Sequence, residues 1–333
     1  MMPGDSKKPK AIRMLLLATA LWAFSFPAMK ALGLEQQKLL PDAGSWFFTS
    51  LGVMYRFGLA GVVTLVLSRI RRETTSRLEL EQGLWLALFG ASGILFQMDG
   101  LTYTQASTSA FLTQGYCVFI PVWTTFMNRR LPALKIILCI GIVLTGVAVL
   151  ADLDLRTFKL GRGEIETLIA SLLFSGQILL LEHPRYSANR PIQFSTVMFL
   201  AMALLCVPLV IATAPDAAAC IRAYASFTAC GILTLLVVVC TLGAYLLMNY
   251  WQPRVSATEA GLIYCAEPVI ASTLALFLPA WISVWANINY ANETLTLRLL
   301  IGGGLITAAN VLLQSRLLER NSAAIQQPES RRT

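Results

Sequence analysis

The protein has 333 residues, of which 56% are apolar and only 13% are charged, and its mean hydropathy is +0.65. Soluble domains carry about 25% charged residues, so this composition excludes a water-soluble protein with an ordinary polar surface. The net charge of +8 does not indicate nucleic-acid binding, because Lys and Arg stand at the ends of apolar segments rather than along one face. The seven Cys residues form no CxxC motif and no Cys/His cluster, so neither a metal site nor a disulfide framework is expected.

Ten apolar segments of roughly 20 residues follow one another along the chain, and that length crosses a bilayer core of about 30 Å. They are 12–32, 44–67, 83–103, 107–127, 133–151, 164–182, 193–213, 226–250, 257–279 and 296–317. The longer joints are Ser68–Gln82, Asp152–Gly163 and Pro279–Glu293, and the polar end over 321–333 is expected to be disordered. No small-x-small cleavage site closes the first segment, so an uncleaved helix is expected there. The pattern predicts an all-α integral membrane protein with ten transmembrane helices.

The basic residues are distributed unevenly between alternate joints. If the N-terminus is cytoplasmic and each segment crosses once, 18 of the 26 Lys and Arg residues fall on the cytoplasmic side and seven on the other, while Arg56 lies within the second segment. The positive-inside rule predicts an excess of this kind. The expected location is therefore the cell (inner) membrane, as a multi-pass protein with both termini in the cytoplasm.

Three pairs of passages match between the two halves of the chain. The passage from Ser109-Ala110 to Pro121-Val122 matches the passage from Ser256-Ala257 to Pro268-Val269, 147 residues later. Phe24-Ser25 matches Phe174-Ser175, 150 residues later. The pattern from Gly141 to Thr145 matches the one from Gly303 to Thr307, 162 residues later. Three matches in the same order predict a five-helix unit used twice, over 1–151 and 152–320. Because five is odd, the second copy must enter from the opposite side, and such inverted repeats are typical of alternating-access transporters. The alternative is a duplicated scaffold that does not transport.

The same passages carry a resemblance to a known family. The motifs are Ser256–Ile263 leading to Glu267-Pro268-Val269, Trp22–Pro27 with Ala23 where the family usually has Gly, Arg56-Phe57, and Glu293 followed by Gly302–Ile306. Together they resemble the EamA-type permeases of the drug/metabolite transporter superfamily over nearly the whole chain. The joint 128–132 departs from the family's LGE-like pattern, and the joint near 281–292 is longer than usual. The resemblance implies ten helices and export or exchange of small metabolites, with amino acids, including aromatic ones, as a recurrent substrate class.

Two ionisable residues fall near the middle of their apolar segments. Arg56 is about twelve residues into the second segment and Glu267 about ten into the ninth, which places each roughly 15 Å from either face at 1.5 Å per residue. An isolated charge at that depth costs several kcal/mol, so each must face a cavity or find a partner. In one interpretation Arg56 binds a substrate carboxylate and Glu267 an ammonium group or a proton; in the other they form a structural pair. Asp99, about one turn from the end of the third segment, is expected to be a solvated rim carboxylate, with a relay role as the alternative.

Aromatic residues and prolines recur inside the segments. Four aromatic residues lie deep on helices that the family uses around its cavity, and they are candidates for lining the substrate path: Trp22, Phe26, Tyr116 and Tyr264. The alternative for each is a packing role. Pro268 leaves a carbonyl one turn back without its helical partner, so the backbone there is a candidate hinge, and Pro27 and Pro121 are hinge candidates as well.

These features predict a secondary active transporter, an exporter or exchanger of small organic metabolites such as amino acids, that works by alternating access. The expected partners are the lipid bilayer and a small-molecule substrate, with protons as a further candidate; nucleic acid is not expected, and the oligomeric state stays open. No GxSxG, HExxH or Walker motif occurs, so neither catalysis nor a cofactor nor a metal is expected. The alternatives are a polytopic membrane enzyme, which would carry a cluster of Asp, Glu or His that is missing here, and a non-transporting membrane scaffold.

Overall fold

The structure, a computed structural model, describes residues 8–127, 134–150, 160–255 and 257–325, and every regular element in these ranges is helical. The helices are α1 (Lys8–Leu39), α2 (Ser45–Ile70), α3 (Arg77–Tyr103), α4 (Ala106–Thr113), α5 (Tyr116–Met127), α6 (Leu134–Leu150), α7 (Arg162–Glu182), α8 (Pro191–Thr213), α9 (Ala219–Arg222), α10 (Phe227–Leu235), α11 (Ala244–Trp251), α12 (Ala257–Tyr264), α13 (Ala266–Ala275), α14 (Leu278–Ala286) and α15 (Leu297–Ile325). A π-helical piece, Leu236–Gly243, makes α10 and α11 continuous. The all-α fold predicted from hydropathy is confirmed in the described part of the chain.

Within the described ranges, six helices are long and apolar enough to cross a membrane: α1, α2, α3, α7, α8 and the continuous run Phe227–Arg254. The helices Glu259–Ala275 and Leu278–Ala286 meet at a bend of 54° and would make a seventh span if they cross together. The remaining predicted segments are shorter pieces, because 107–127 divides into α4 and α5 and because the described apolar parts of α6 and α15 have fewer than 18 residues. The count of ten crossings therefore stays a prediction.

Two joints and the polar end differ from the sequence-based prediction. The predicted joint Pro279–Glu293 contains α14, because a proline is tolerated in the first turn of a helix and the residues after it are apolar. The predicted joint Ser68–Gln82 shrinks to 71–76, because Ser76 and Glu79 form a capping box that starts α3 early. Helix α15 runs to Ile325, into the end expected to be disordered, and 326–333 lie outside the described residues. Most of Asp152–Gly163 also lies outside them.

The helices pack in pairs that join distant parts of the chain. Helix α2 packs along α8, α3 packs along α7 and α8, α6 packs along α15, and α1 contacts helices from both halves. Two of these crossings are very close: a Cβ on Gly163 would lie 2.7 Å from the Gly100 carbonyl, and one on Gly302 would lie 2.8 Å from the Gly146 carbonyl. Small residues let membrane helices approach in this way. We call the end of the bundle where α1 begins the N-terminal face, and the other end the opposite face.

The expectation that Asp99 is a solvated rim carboxylate is wrong. Its side chain is fully buried near the opposite face, where Arg162 donates a hydrogen bond to it. Arg162 also donates to Glu166 at 2.8 Å and to the Tyr103 hydroxyl at 2.9 Å. The reason is tertiary, since the close crossing of α3 and α7 at Gly100 places Arg162 over Asp99.

Candidate functional site

A central cavity of about 70 Å³ lies among α1, α2, α3, α4, α5, α7, α11, α12 and α13. Its wall includes the six residues that the sequence singled out as substrate-path candidates: Arg56, Glu267, Trp22, Phe26, Tyr116 and Tyr264. They come from five different helices and are separated by up to 245 positions in sequence. Their role in a substrate path stays a prediction, and the structure brings all six to one space.

Arg56 is 1% exposed and is held by three neighbours. Its Nε donates to the Thr241 hydroxyl at 2.5 Å, its Nη1 to the Met29 sulfur at 3.3 Å and its Nη2 to the Cys240 carbonyl at 3.2 Å. Two of these acceptors belong to the π-helical piece Leu236–Gly243, and π-helical turns occur often at functional sites. A guanidinium has five N–H donors. Two donors are therefore left for a ligand, and the orientation of the group is already fixed.

Glu267 is 6% exposed and lies in the first turn of α13. Gln114 donates to its Oε2 at 3.2 Å, and the positive end of the α13 dipole also favours a carboxylate there. Among the described residues, no nitrogen of Arg56 lies within 4.0 Å of a carboxylate oxygen, so Arg56 and Glu267 do not form the structural ion pair that was the alternative interpretation.

The two broken helices, α4–α5 and α12–α13, meet at their breaks. The first break is at Gln114-Gly115 and the second at Cys265. Gln114 Nε2 donates to the Tyr264 carbonyl at 3.0 Å as well as to Glu267. That carbonyl is one turn before Pro268, which has no N–H to offer it. Gln114 thus replaces the hydrogen bond that the proline removes, and it links one break to the other.

The hinge candidates occupy different settings. Pro27 lies inside the continuous helix α1 and is buried. Pro121 and Pro268 follow the two breaks, and in each case a hydroxyl four residues on bonds to the proline carbonyl at 2.7 Å, from Thr125 and Ser272. A hinge role for the three prolines stays a prediction.

The aromatic residues form a cluster on one side of the cavity. The Trp22 ring packs edge-on against Tyr245 at 5.4 Å and against Tyr264 at 5.7 Å between centroids. Trp22 Nε1 is buried without a hydrogen-bond partner among the described residues, so it is a donor available to a ligand. The Tyr264 hydroxyl donates to Gln252 at 2.9 Å, and Gln252 donates to the Ile178 carbonyl at 3.2 Å. These bonds link α12 to α7 beside the cavity.

Sequence reasoning missed several residues of this site. Gln114 and Gln252 were not singled out, and neither was Tyr245, which shares the cavity wall. A signal existed for Gln114: an amide beside a glycine in the middle of an apolar segment is a place where a membrane helix breaks and finds polar partners. For Gln252 the partner lies 74 residues away, and no local pattern indicates it.

The described residues contain no group of three or more His, Cys, Asp or Glu side chains that could hold a metal ion. The described wall of the cavity offers one guanidinium, one carboxyl group, the amide groups of Gln97 and Gln177, hydroxyl groups and aromatic faces. Such a set can bind and orient a small solute.

Comparisons with known proteins agree with this geometry. Residues 9–151 match the model of the EamA-like transporter family. A protein of known crystal structure shares the fold with a TM-score of 0.60 over 95% of this chain and 99% of that chain, and the 16% sequence identity limits this likeness to the fold. No curated protein matches the sequence. The resemblance seen in the motifs is confirmed over residues 9–151, which match the EamA-like transporter family, part of the drug/metabolite transporter superfamily.

Proposed function

We propose that the protein is a secondary active transporter of small organic metabolites such as amino acids, an exporter or exchanger that works by alternating access. The observation that carries the proposal is the central cavity, where a buried Arg56 and a buried Glu267 line the same space without pairing with each other. A charge inside a membrane protein needs a partner or water. A zwitterionic solute supplies both partners, with its carboxylate at Arg56 and its ammonium group at Glu267.

The rest of the cavity wall favours an amphipathic or aromatic solute. Trp22, Tyr245 and Tyr264 present ring edges and faces, and the unpartnered Nε1 of Trp22 adds a donor. Aromatic walls with a few fixed polar groups are typical of small-molecule sites.

The alternating-access mechanism rests on a proposed inverted repeat with units over 1–151 and 152–320. A two-fold axis in the membrane plane brings equivalent helices of the two halves together. The packing of α2 on α8 and of α6 on α15 supports this symmetry, since each pair joins equivalent positions in the two units. The crossing of the broken helices at Gln114 and Tyr264 supports a moving part at the cavity.

Orientation and energy coupling belong to the same proposal. The 18 to seven distribution of basic residues supports an orientation in the cell (inner) membrane with both termini in the cytoplasm. A cysteine introduced into 152–163 should be labelled by an impermeant thiol reagent from outside the cell. Labelling only from the cytoplasm would contradict this orientation.

Energy coupling is proposed to involve Glu267, the acidic residue in the described wall of the central cavity. A proton that exchanges at its carboxyl group would couple flux to a pH gradient.

The test is flux in proteoliposomes against a panel of metabolites, with and without an imposed pH gradient. We expect uptake or efflux of at least one amphipathic amino acid, and Arg56→Ala should reduce it to the background of empty liposomes. Arg69→Ala is the matched control, because Arg69 is exposed near the end of the same helix. Folding of each variant is checked by size-exclusion elution and circular dichroism.

Two outcomes would contradict the proposal. Full flux in a well-folded Arg56→Ala variant would remove Arg56 from the path. An absence of flux for every solute of the panel, with protein that is folded and inserted, would favour the non-transporting scaffold.

A further inference from the structure

A second cavity lies between α1, α2 and α3 at the opposite face, with a volume of about 240 Å³. Most of its wall comes from the last three turns of α1 and the ends of α2 and α3 that lie beside them. It shares no lining residue with the central cavity. A role for it is not part of the function proposed above.

The charged residue of the described lining is Lys30, which also lines a neighbouring cavity together with Glu164 and Arg298. No described carboxylate oxygen lies within 4.0 Å of the Lys30 ammonium group. That group donates to the Thr104 carbonyl, which leaves two of its three N–H donors unused. Glu293, whose charge also acts on Lys30, already receives the backbone N–H of Ala106 at 2.8 Å.

A second donor lies on the same wall. Gln36 is 1% exposed; the buried Tyr224 hydroxyl is its polar neighbour, but no hydrogen-bond partner lies within 3.5 Å of its Nε2 among the described residues. A buried amide donor without a partner costs about 1–3 kcal/mol unless water or a ligand satisfies it. Lys30 and Gln36 thus offer a charged and a neutral donor to one space.

One side chain separates this cavity from the central one. Met29 lines the second cavity, and its sulfur accepts the hydrogen bond from Arg56 Nη1 at 3.3 Å. Methionine has three rotatable bonds and adapts its shape readily. The flexible Met29 side chain therefore contacts Arg56 of the central cavity and also lines the cavity that contains Lys30.

We infer that the second cavity is a binding site for a small oxyanion, a carboxylate or a phosphate, held by Lys30 and Gln36. Carboxylates and phosphates are the acceptors that form strong, charge-assisted hydrogen bonds with an ammonium group. The site is distinct from the pair of groups in the central cavity, and an anion bound here stands one side chain away from Arg56.

The test measures the charge preference of a thiol placed in the cavity of the purified full-length protein. Gly33 lines the cavity and a Cβ there meets nothing within 4 Å, so Gly33→Cys should fold. Gly44→Cys is the matched control, since it has equal room but lies at the start of α2 outside the lining. Both are made with Cys220→Ser and Cys230→Ser, and are labelled with anionic sulfonatoethyl and cationic trimethylammonioethyl methanethiosulfonate.

We expect the ratio of anionic to cationic labelling rates to be about tenfold higher for Gly33→Cys than for Gly44→Cys, because a cavity of one charge sign raises the local concentration of the opposite ion. Adding Lys30→Gln should return the ratio to that of the control. Equal ratios at the two positions, or a ratio that Lys30→Gln leaves unchanged, would overturn the inference.

The source of the anion is separated by two protection experiments. Slower labelling of Gly33→Cys in neutral detergent with sodium benzoate assigns a soluble carboxylate. Slower labelling in nanodiscs that contain phosphatidylglycerol, but not in those of phosphatidylcholine alone, assigns a lipid phosphate. If neither addition slows labelling, the cavity is only a positively charged surface and the binding site is refuted.

Discussion

Two regions of this protein that bury charged side chains contrast in how those charges are satisfied. Near the opposite face, Asp99, Arg162 and Glu166 form a set in which each carboxylate receives a hydrogen bond from the same guanidinium. In the central cavity, Arg56 and Glu267 have only neutral partners. Burying a charge is costly in both places. The first region offsets the cost with an ion pair, while in the second neither charge has a charged partner among the described residues, so the two regions should respond differently to substitution.

The largest expected effect is the loss of coupled flux in Glu267→Gln. The amide can still bond to Gln114, so folding should be preserved, but it neither carries a proton nor neutralises an ammonium group. Flux driven by a pH gradient should fall to the liposome background, while substrate-for-substrate exchange persists. The control is Asp42→Asn, an exposed carboxylate outside the cavity. A Gln variant that keeps its full response to the pH gradient would rule out coupling through Glu267.

Next in size is the stability change of Arg162→Met. Asp99 would keep a buried charge with no guanidinium beside it, and losing one member of a buried pair costs about 3–5 kcal/mol. The Arg162 side chain is 45% exposed, so the lower end of that range is expected. The free energy of unfolding is measured by denaturant titration in detergent micelles. Flux per folded molecule should match the unmodified protein, and a specific loss of flux would give this region a functional role too.

A smaller effect is expected for Gln114→Ala, which leaves the Tyr264 carbonyl without a donor. An unsatisfied buried acceptor costs about 1–3 kcal/mol. The double variant Gln114→Ala with Pro268→Ala tests the cause, because an alanine in place of Pro268 would supply the backbone N–H that the proline lacks. The double variant should therefore be more stable than Gln114→Ala alone. If the two changes are simply additive, Gln114 does not act through that carbonyl.

The smallest effect concerns an exposed pair, Asp216 and Arg222, which bond at 2.6 Å outside the spans. The hydrogen bond from Arg222 holds the pKa of Asp216 below its ordinary value. A carboxyl group with a depressed folded-state pKa stabilises the protein above its unfolded pKa of about 3.9, and this contribution is lost as the pH falls through the folded value. Asp216→Asn should lower the melting temperature slightly at pH 7, and this difference should shrink as the pH falls below the unfolded pKa of about 3.9 and through the folded value. A difference that grows with acidity would contradict this sign.

Much of the candidate site could be predicted from the sequence because ionisable residues are costly, and therefore rare, inside membrane-spanning segments. Arg56 and Glu267 stand out as ionisable residues within apolar segments, and the structure places both on the central cavity wall. Gln114 and Gln252 were missed because an amide in an apolar segment carries no charge, and its meaning depends on which carbonyl it reaches.

The sequence by itself determined the helical class, the positions of the apolar segments and the family resemblance, since hydropathy and motif spacing are properties of neighbouring residues. The tertiary structure alone decided which charges are paired. Asp99 is buried because Arg162, 63 positions away, crosses over it, and Arg56 is held by the π-helical piece Leu236–Gly243 rather than by Glu267. Pairing between side chains depends on how helices cross, and the crossings are set by small residues such as Gly100 and Gly163 whose effect appears only when the two helices meet.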